Sequence, residues 1–152
     1  MSVVARLDEH LLDPQRELGE LLRQAAGDGA VVSFVGIGRP ESSSGERVDE
    51  LLLEQHPVLT LKSLQEIAVD AAERFDVSLV RVVHRCGRIA AGEPIVFAGA
   101  ASKHRRAAFE AADYLMDRLK TEAVFWKRES GAAGSAWIEP TEADYADRDR
   151  WG

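Results

Sequence analysis

The sequence predicts an α+β fold: helices packed on a mostly antiparallel sheet, with a C-terminal hairpin. Two observations carry this expectation. Strand-like stretches outnumber helical ones, and several follow one another with no helix between them, as antiparallel neighbours do. Only three stretches carry apolar residues at clear helical spacing. The chain has 152 residues, a length suited to one domain, here 1–152 with 141–152 a polar C-terminal tail. A domain of that size buries a sizeable core without disulfides or a structural metal.

The elements follow in order. "SVVARL" reads as a short strand. Asp13 followed by Pro14 supplies an N-cap and a first-turn proline, and Leu18, Leu21, Leu22 and Ala25 continue at helical spacing. Gly27 to Gly29 ends that helix. "AVVSFVGIG", Ala30 to Gly38, is rich in β-branched residues and reads as a buried strand. The polar loop "RPESSSGE" leads to a second strand, "RVDELLLEQ". Thr60 is placed to cap the next helix, whose one face holds Leu61, Leu64, Ile67, Ala68, Ala71 and Phe75. "SLVRVVHRCG" and "PIVFAGAAS" read as strands. Ser102 is placed to cap the third helix, with Ala108, Ala111, Ala112, Leu115 and Leu119 on its apolar face. "VFWKRE", the turn "SGAAGS" and "AWIEP" form the hairpin. The tail is polar apart from Tyr145 and Trp151.

Composition narrows the function. The single cysteine, Cys86, excludes an intrachain disulfide and a CxxC zinc motif, and fits a reducing cytoplasm. "MSVVARLDEHLLD" lacks the pattern of a signal peptide, and no apolar run approaches the ~20 residues of a membrane span. A net charge of −7 and a pI near 5.1 argue against broad nucleic-acid binding, which needs a basic face. Any bound anion is therefore small and held by a local cluster. The four histidines show no metal-ligand spacing, so neither a metal nor a cofactor is expected.

Three stretches carry candidate chemistry. In "LKTEAVFWKRE", Lys120, Lys127 and Arg128 surround the apolar Val124, Phe125 and Trp126. In "SKHRRAAFE", His104, Arg105 and Arg106 crowd the start of a helix, where the dipole favours anions over cations. Such a turn also offers free backbone N–H groups to a phosphate. Arg39 follows the "GIG" end of a strand, either as an anion holder or as a solvated loop residue. Lys120 lies about 16 residues beyond His104, on the order of 24 Å along a helix. Either that helix bends or a site using both ends is completed by another subunit, and the geometry favours a homodimer. His84 reads as a structural histidine, His56 as a turn residue and Cys86 as a small buried side chain.

These residues carry a resemblance. "GAVVSFVGIGRP", "VRVVHRCGRIAAGEPIV", "HRRAAFEAADYLMDRLKTEAVFWKRE" and the terminal "DRDRW" resemble, in order and spacing, the large, catalytic subunit of molybdopterin synthase. The resemblance covers nearly the whole chain and implies that family's α/β-hammerhead fold. It implies sulfur transfer to cyclic pyranopterin monophosphate, forming the dithiolene of molybdopterin. The sulfur donor would be a thiocarboxylate on the C-terminal Gly-Gly of a small ubiquitin-like partner. The implied assembly is a homodimer of large subunits within a heterotetramer.

By position, Lys120 and Lys127 match the family's catalytic lysines. Arg39, His104 and Arg105 match substrate-binding positions, with Arg128 and Glu129 adjoining Lys127. Phosphate would be held by charge-assisted bonds. Cations around Lys120 would lower its pKa and leave it a base or nucleophile, while Lys127 stabilises developing charge. Two departures stand out. Val124 replaces a common family proline, and "EQHPVL" replaces a common "EHYPGM", so that His56 stands where the family has tyrosine. The alternative is a non-catalytic anion- or nucleotide-binding module of the same fold.

Overall fold

The structure, a computed structural model, describes residues 2–132 and 134–152. Its elements in chain order are β1 (Ser2–Asp8), α1 (Pro14–Gln24), β2 (Ala30–Ile37), β3 (Glu50–Gln55), α2 (Leu59–Arg74) and β4 (Leu79–Arg85). Then come β5 (Gly87–Ala90), β6 (Pro94–Ser102), α3 (Arg105–Glu122), β7 (Phe125–Gly131), β8 (Gly134–Ile138) and α4 (Glu142–Asp149). The strands form two four-stranded sheets, ordered β1-β4-β6-β2 and β5-β3-β7-β8. Every pairing is antiparallel except that of β1 with β4. The α+β class and the antiparallel bias are as the sequence predicts, but the strands divide between two sheets. Gly87 makes the division. Its φ of +84° turns the chain out of β4 into β5, a strand that the sequence expectation does not contain.

The first sheet is the core layer. Helices α2 and α3 cover one face with Leu64, Ile67, Ala68, Ala71, Ala111 and Leu115, all buried against Val80, Val82 and Ala98. The alanines of α3 leave little side chain between the helix and the sheet. On the other face, Leu21 of α1 packs on Val83, Phe97 and Ala101. Central β4 is buried at every position, because both its faces meet helices. Strand β2 corrects the expectation of a buried strand: it is a sheet edge, and Phe34 and Ile37 are 43% and 55% exposed.

Helix starts depend on which side chain is free to cap. Asp13 accepts the amides of Gln15 at 3.1 Å and Arg16 at 3.3 Å, with Pro14 following. Thr60 does not cap α2. His56 Nδ1 instead accepts the amides of Val58 at 3.2 Å and Leu59 at 3.0 Å, and Thr60 lies buried within the helix. Ser102 does not cap α3 either. It is still paired in β6 and donates to the carbonyl of His104, the residue at the cap position.

The tail 141–152 contains α4. Thr141 accepts the Asp144 amide at 3.1 Å and Asp144 accepts the Thr141 amide at 2.9 Å, a reciprocal cap. Its end is latched to α3, where Asp117 accepts from Arg150 at 2.6 Å and from Trp151 Nε1 at 2.7 Å. The Trp151 ring meets Phe75 and Tyr114 edge-on. Among the described residues, no helix is long and apolar enough to cross a membrane.

One charge cluster ties α1 to the sheet. Glu17, 3% exposed, bonds Arg6 at 2.7 Å and Arg81 at 2.7 Å. Burial alone would raise its pKa, but the bonds from Arg6 and Arg81 outweigh that and hold the carboxyl below its usual range. This stabilisation is present above the ordinary glutamate value of 4.5 and is lost as pH falls through the lower folded-state value. Replacing Glu17 with Gln strands the buried Arg81 guanidinium and is expected to cost about 3 kcal/mol near neutral pH. Chemical denaturation of both proteins checks this, and the difference should shrink on acidification.

Candidate active site

Strand β7 carries the aromatic–lysine motif. It is flanked by β3 and β8, with Lys127 opposite Leu53 on one side and Ile138 on the other. Alternation puts Phe125, Lys127 and Glu129 on one face, and Trp126 and Arg128 on the other. The first face turns towards the core sheet, because the Phe125 ring lies 4.4 Å from the ring of His84 on β4. Phe125 is thus a half-buried anchor, whereas Trp126 is 51% exposed. Arg128 does not share the lysine's face. Its guanidinium lies 5.5 Å from the Trp137 ring, and its Nε is buried without a hydrogen-bond partner.

Lys120 stands exposed in the last turn of α3, where the helix dipole favours a cation. Its charge reaches both Lys127 and His84. Lys127 is depressed to about 8, first by burial and then by Lys120, with Asp144 of α4 acting weakly the other way. The sequence placed the depressed lysine at Lys120; the burial that depresses a lysine falls on Lys127. His84 is pushed down to about 4 by burial, and the charges of Lys127 and Lys120 act in the same direction. Its ring is therefore neutral, with Nδ1 2.8 Å from the Arg85 carbonyl. Two lysines and a neutral histidine thus meet where α3, β4 and β7 converge. His84 reads from sequence as structural, because its approach to two residues some 40 positions away leaves no local mark.

The remaining candidates divide between two ends of the molecule. Arg39 emerges past β2, where the buried Gly38 lets the chain cross the β5–β6 turn. The Gly38 amide bonds the Glu93 carbonyl at 2.9 Å, and a Cβ there would sit 3.3 Å from the Ala90 carbonyl. Ile37 pairs with Pro94 and His84 with Val96, so Arg39 and the lysine pair lie at the same end of the core sheet. His104 and Arg105 lie at the other end, beyond Ser102, which pairs with Ala30. Gly29 fixes that corner: a Cβ on it would meet the Lys103 carbonyl at 2.2 Å. Both His104 and Arg105 are exposed.

Between the two ends runs an open apolar groove. Val32 and Phe34 of β2 face Phe109, Ala112 and Met116 of α3, and Phe109 is 58% exposed. Among the described residues, no three histidine, cysteine or carboxylate side chains gather as a metal site would require.

The sequence model of the MoaE protein family matches residues 7–122 of the chain. The chain is 44% identical over 146 residues to the molybdopterin synthase catalytic subunit of Pseudomonas aeruginosa, covering 96% of this chain and 97% of that one. It is 49% identical over 123 residues to the molybdopterin synthase catalytic subunit of Caulobacter vibrioides, covering 81% and 80%. A solved molybdopterin biosynthesis MoaE protein from Burkholderia ambifaria matches with a TM-score of 0.82 at 34% identity, covering 100% of this chain and 99% of that one.

The coupling of the two lysines is directly measurable. With the Lys120 charge removed in Lys120→Ala, the Lys127 ammonium loses a repulsive neighbour. Its ionisation midpoint, followed by NMR at the ε-carbon, should rise above the parental value of about 8. An unchanged midpoint would contradict the proximity of the two groups.

Proposed function

The chain belongs to the MoaE family, and from that premise we propose that it works as a molybdopterin synthase catalytic subunit. It transfers sulfur from the C-terminal thiocarboxylate of a small, ubiquitin-like Gly-Gly partner to cyclic pyranopterin monophosphate, forming the molybdopterin dithiolene. The observation that carries this reading is the coupled pair Lys120 and Lys127, set at one end of the core sheet of a protein whose net charge is −7.

Lys127, with its midpoint near 8, is partly neutral at physiological pH and takes and returns protons. Lys120, exposed and reachable by a threaded peptide, acts at the thiocarboxylate carbonyl as base or nucleophile while the sulfur leaves. His84 stays neutral and adds no charge that would further repel the lysines. Glu129 shares the face of Lys127. Arg39 holds the substrate phosphate from the same end.

His104 and Arg105 reach the substrate from a second copy. A two-fold axis through the β2–α3 groove, whose midpoint lies near Ser33 and Asp113, buries Phe34 and Phe109 of both copies. It also carries the His104 end of one chain to the Lys120 end of the other. The cations at the start of α3 then have the anion that the helix dipole favours. The working unit is a homodimer with a small subunit at each end, and we place it in the cytoplasm, where the single cysteine stays reduced.

The test is reconstituted turnover with a thiocarboxylated small subunit and cyclic pyranopterin monophosphate. Lys120→Ala is expected to lower the rate by at least about 10²-fold, the worth of a positioned acid–base or nucleophilic group. Product formation at the parental rate by this variant, or none by the folded parent, would overturn the reading.

A further inference from the structure

Three residues, His56 to Val58, separate β3 from α2, and three, Thr121 to Ala123, separate Lys120 from Val124; the start of α2 meets Val124. Val124 lies between the helix that carries Lys120 and the strand that carries Lys127. Its backbone is held at every polar atom. The Thr60 hydroxyl donates to the Val124 carbonyl, and the Ser63 hydroxyl accepts the Val124 amide at 3.1 Å. The amide of Phe125 closes a three-residue turn onto the Ala123 carbonyl at 3.1 Å.

The two hydroxyls are themselves committed. Thr60 Oγ1 accepts the His56 amide at 2.8 Å, and Ser63 Oγ donates to the Thr60 carbonyl at 2.7 Å. Each therefore donates once and accepts once. Thr60 is fully buried, so no water can replace its bonds. The ring nitrogen of His56 holds the first turn of α2 from the other side. The start of α2 is thereby a rigid clamp on the joint between the two lysine-bearing elements.

We propose that Thr60 and Ser63 are positioning residues for sulfur transfer: their hydroxyls fix the backbone of Val124 and thereby set the separation of Lys120 from Lys127. Neither touches the lysines. They act through a turn whose two sides lead to Lys120 four residues upstream and Lys127 three residues downstream. A joint held by one bond fewer lets the two ammonium groups drift apart, and a displacement of about 1 Å at reacting groups costs up to about 10²-fold in rate.

The inference rests on the catalytic reading above, and its test separates the two. Thr60→Val keeps the shape of the side chain and removes both bonds; Ser63→Ala removes the partner of the Val124 amide; Thr60→Ser keeps the hydroxyl. In the reconstituted complex, the first two are expected to lower kcat by about tenfold or more at nearly unchanged KM, and Thr60→Ser to retain the parental rate.

An independent readout is the Lys127 midpoint by NMR. The groups facing that amine are Lys120 from α3, Asp144 from α4 and, beneath Phe125, His84 from β4. Loosening the joint weakens the Lys120 effect, so the midpoint should move up from about 8 in Thr60→Val and Ser63→Ala but not in Thr60→Ser. Parental kcat together with a parental midpoint in both loosening variants would overturn the proposal. So would a loss of thermal stability with no change in either quantity. If Thr60→Val does not fold, Ser63→Ala decides alone by the same two readouts. A parent that folds but makes no product would sink the catalytic reading instead, while the midpoint would still report on the clamp.

Discussion

Helix α3 runs eighteen residues, Arg105–Glu122, and keeps its two cation-bearing ends on the order of 24 Å apart. The rest of the charge arrangement depends on that length. A phosphate-bearing substrate small enough to sit beside Lys120 cannot also touch His104 of the same chain. Strand β2 runs alongside with the same consequence, since Arg39 lies past its last residue and Ala30, at its first, adjoins the His104 corner. The edge of β2 and the face of α3 are both uncovered midway between the ends, at Phe34 and Phe109. In the proposed dimer, one symmetric contact there would bury apolar surface and join opposite ends of two chains. The same contact would give an anion partner to the cations at the start of α3, which in an isolated chain oppose the helix dipole.

The lysine pair shows how an acidic protein keeps a lysine with a depressed pKa. A carboxylate in contact with Lys127 would restore its ordinary pKa. The site supplies instead burial, a second lysine and a neutral histidine, with Asp144 a weak opposing influence. The numerous acids of the chain are spent elsewhere: Asp117 and Glu122 latch the tail through Arg148, Arg150 and Trp151, and Glu17 pairs with Arg6 and Arg81. The tail helix is thus more than a polar extension. It follows β8, which pairs beside Lys127, and locks onto α3 one turn before Lys120. Both lysine-bearing elements are braced from that side, as they are braced at Val124 from the side of α2.

Much of this was legible in the sequence. The strand and helix order followed from periodicity, and the α1 start from Asp13-Pro14. The 16-residue spacing of His104 and Lys120 already set the two about a helix length apart, so that a site using both needs a bent helix or a second chain. What escaped depends on non-local competition. Thr60 and Ser102 carry the right chemistry for caps, but each hydroxyl is claimed elsewhere, by Val124 and by the His104 carbonyl. Strand β5 is only four residues long, too short to leave a periodic pattern, and it begins at the turn made by Gly87. The exposure of β2 is a matter of which strand lies at the edge, and its β-branched composition reads the same either way. Arg128 adjoins Lys127 in sequence, yet alternation sends it to the far face of β7. The approach of His84 to the lysines is set by the packing of two sheets, which no local pattern records.

The shared site is the central claim, and subunit complementation tests it most directly. Lys120→Ala and Arg105→Ala chains, each inactive or nearly so in its own homodimer, would be unfolded together, refolded and assayed with thiocarboxylated small subunit. A mixed dimer built across the β2–α3 groove holds one site with both defects and one site with neither. Random pairing then restores about a quarter of the parental sites. Recovery of activity to that level is the predicted result. A mixture no more active than its components, although mixed dimers are shown to form, would place both residues in one chain's site and contradict the account.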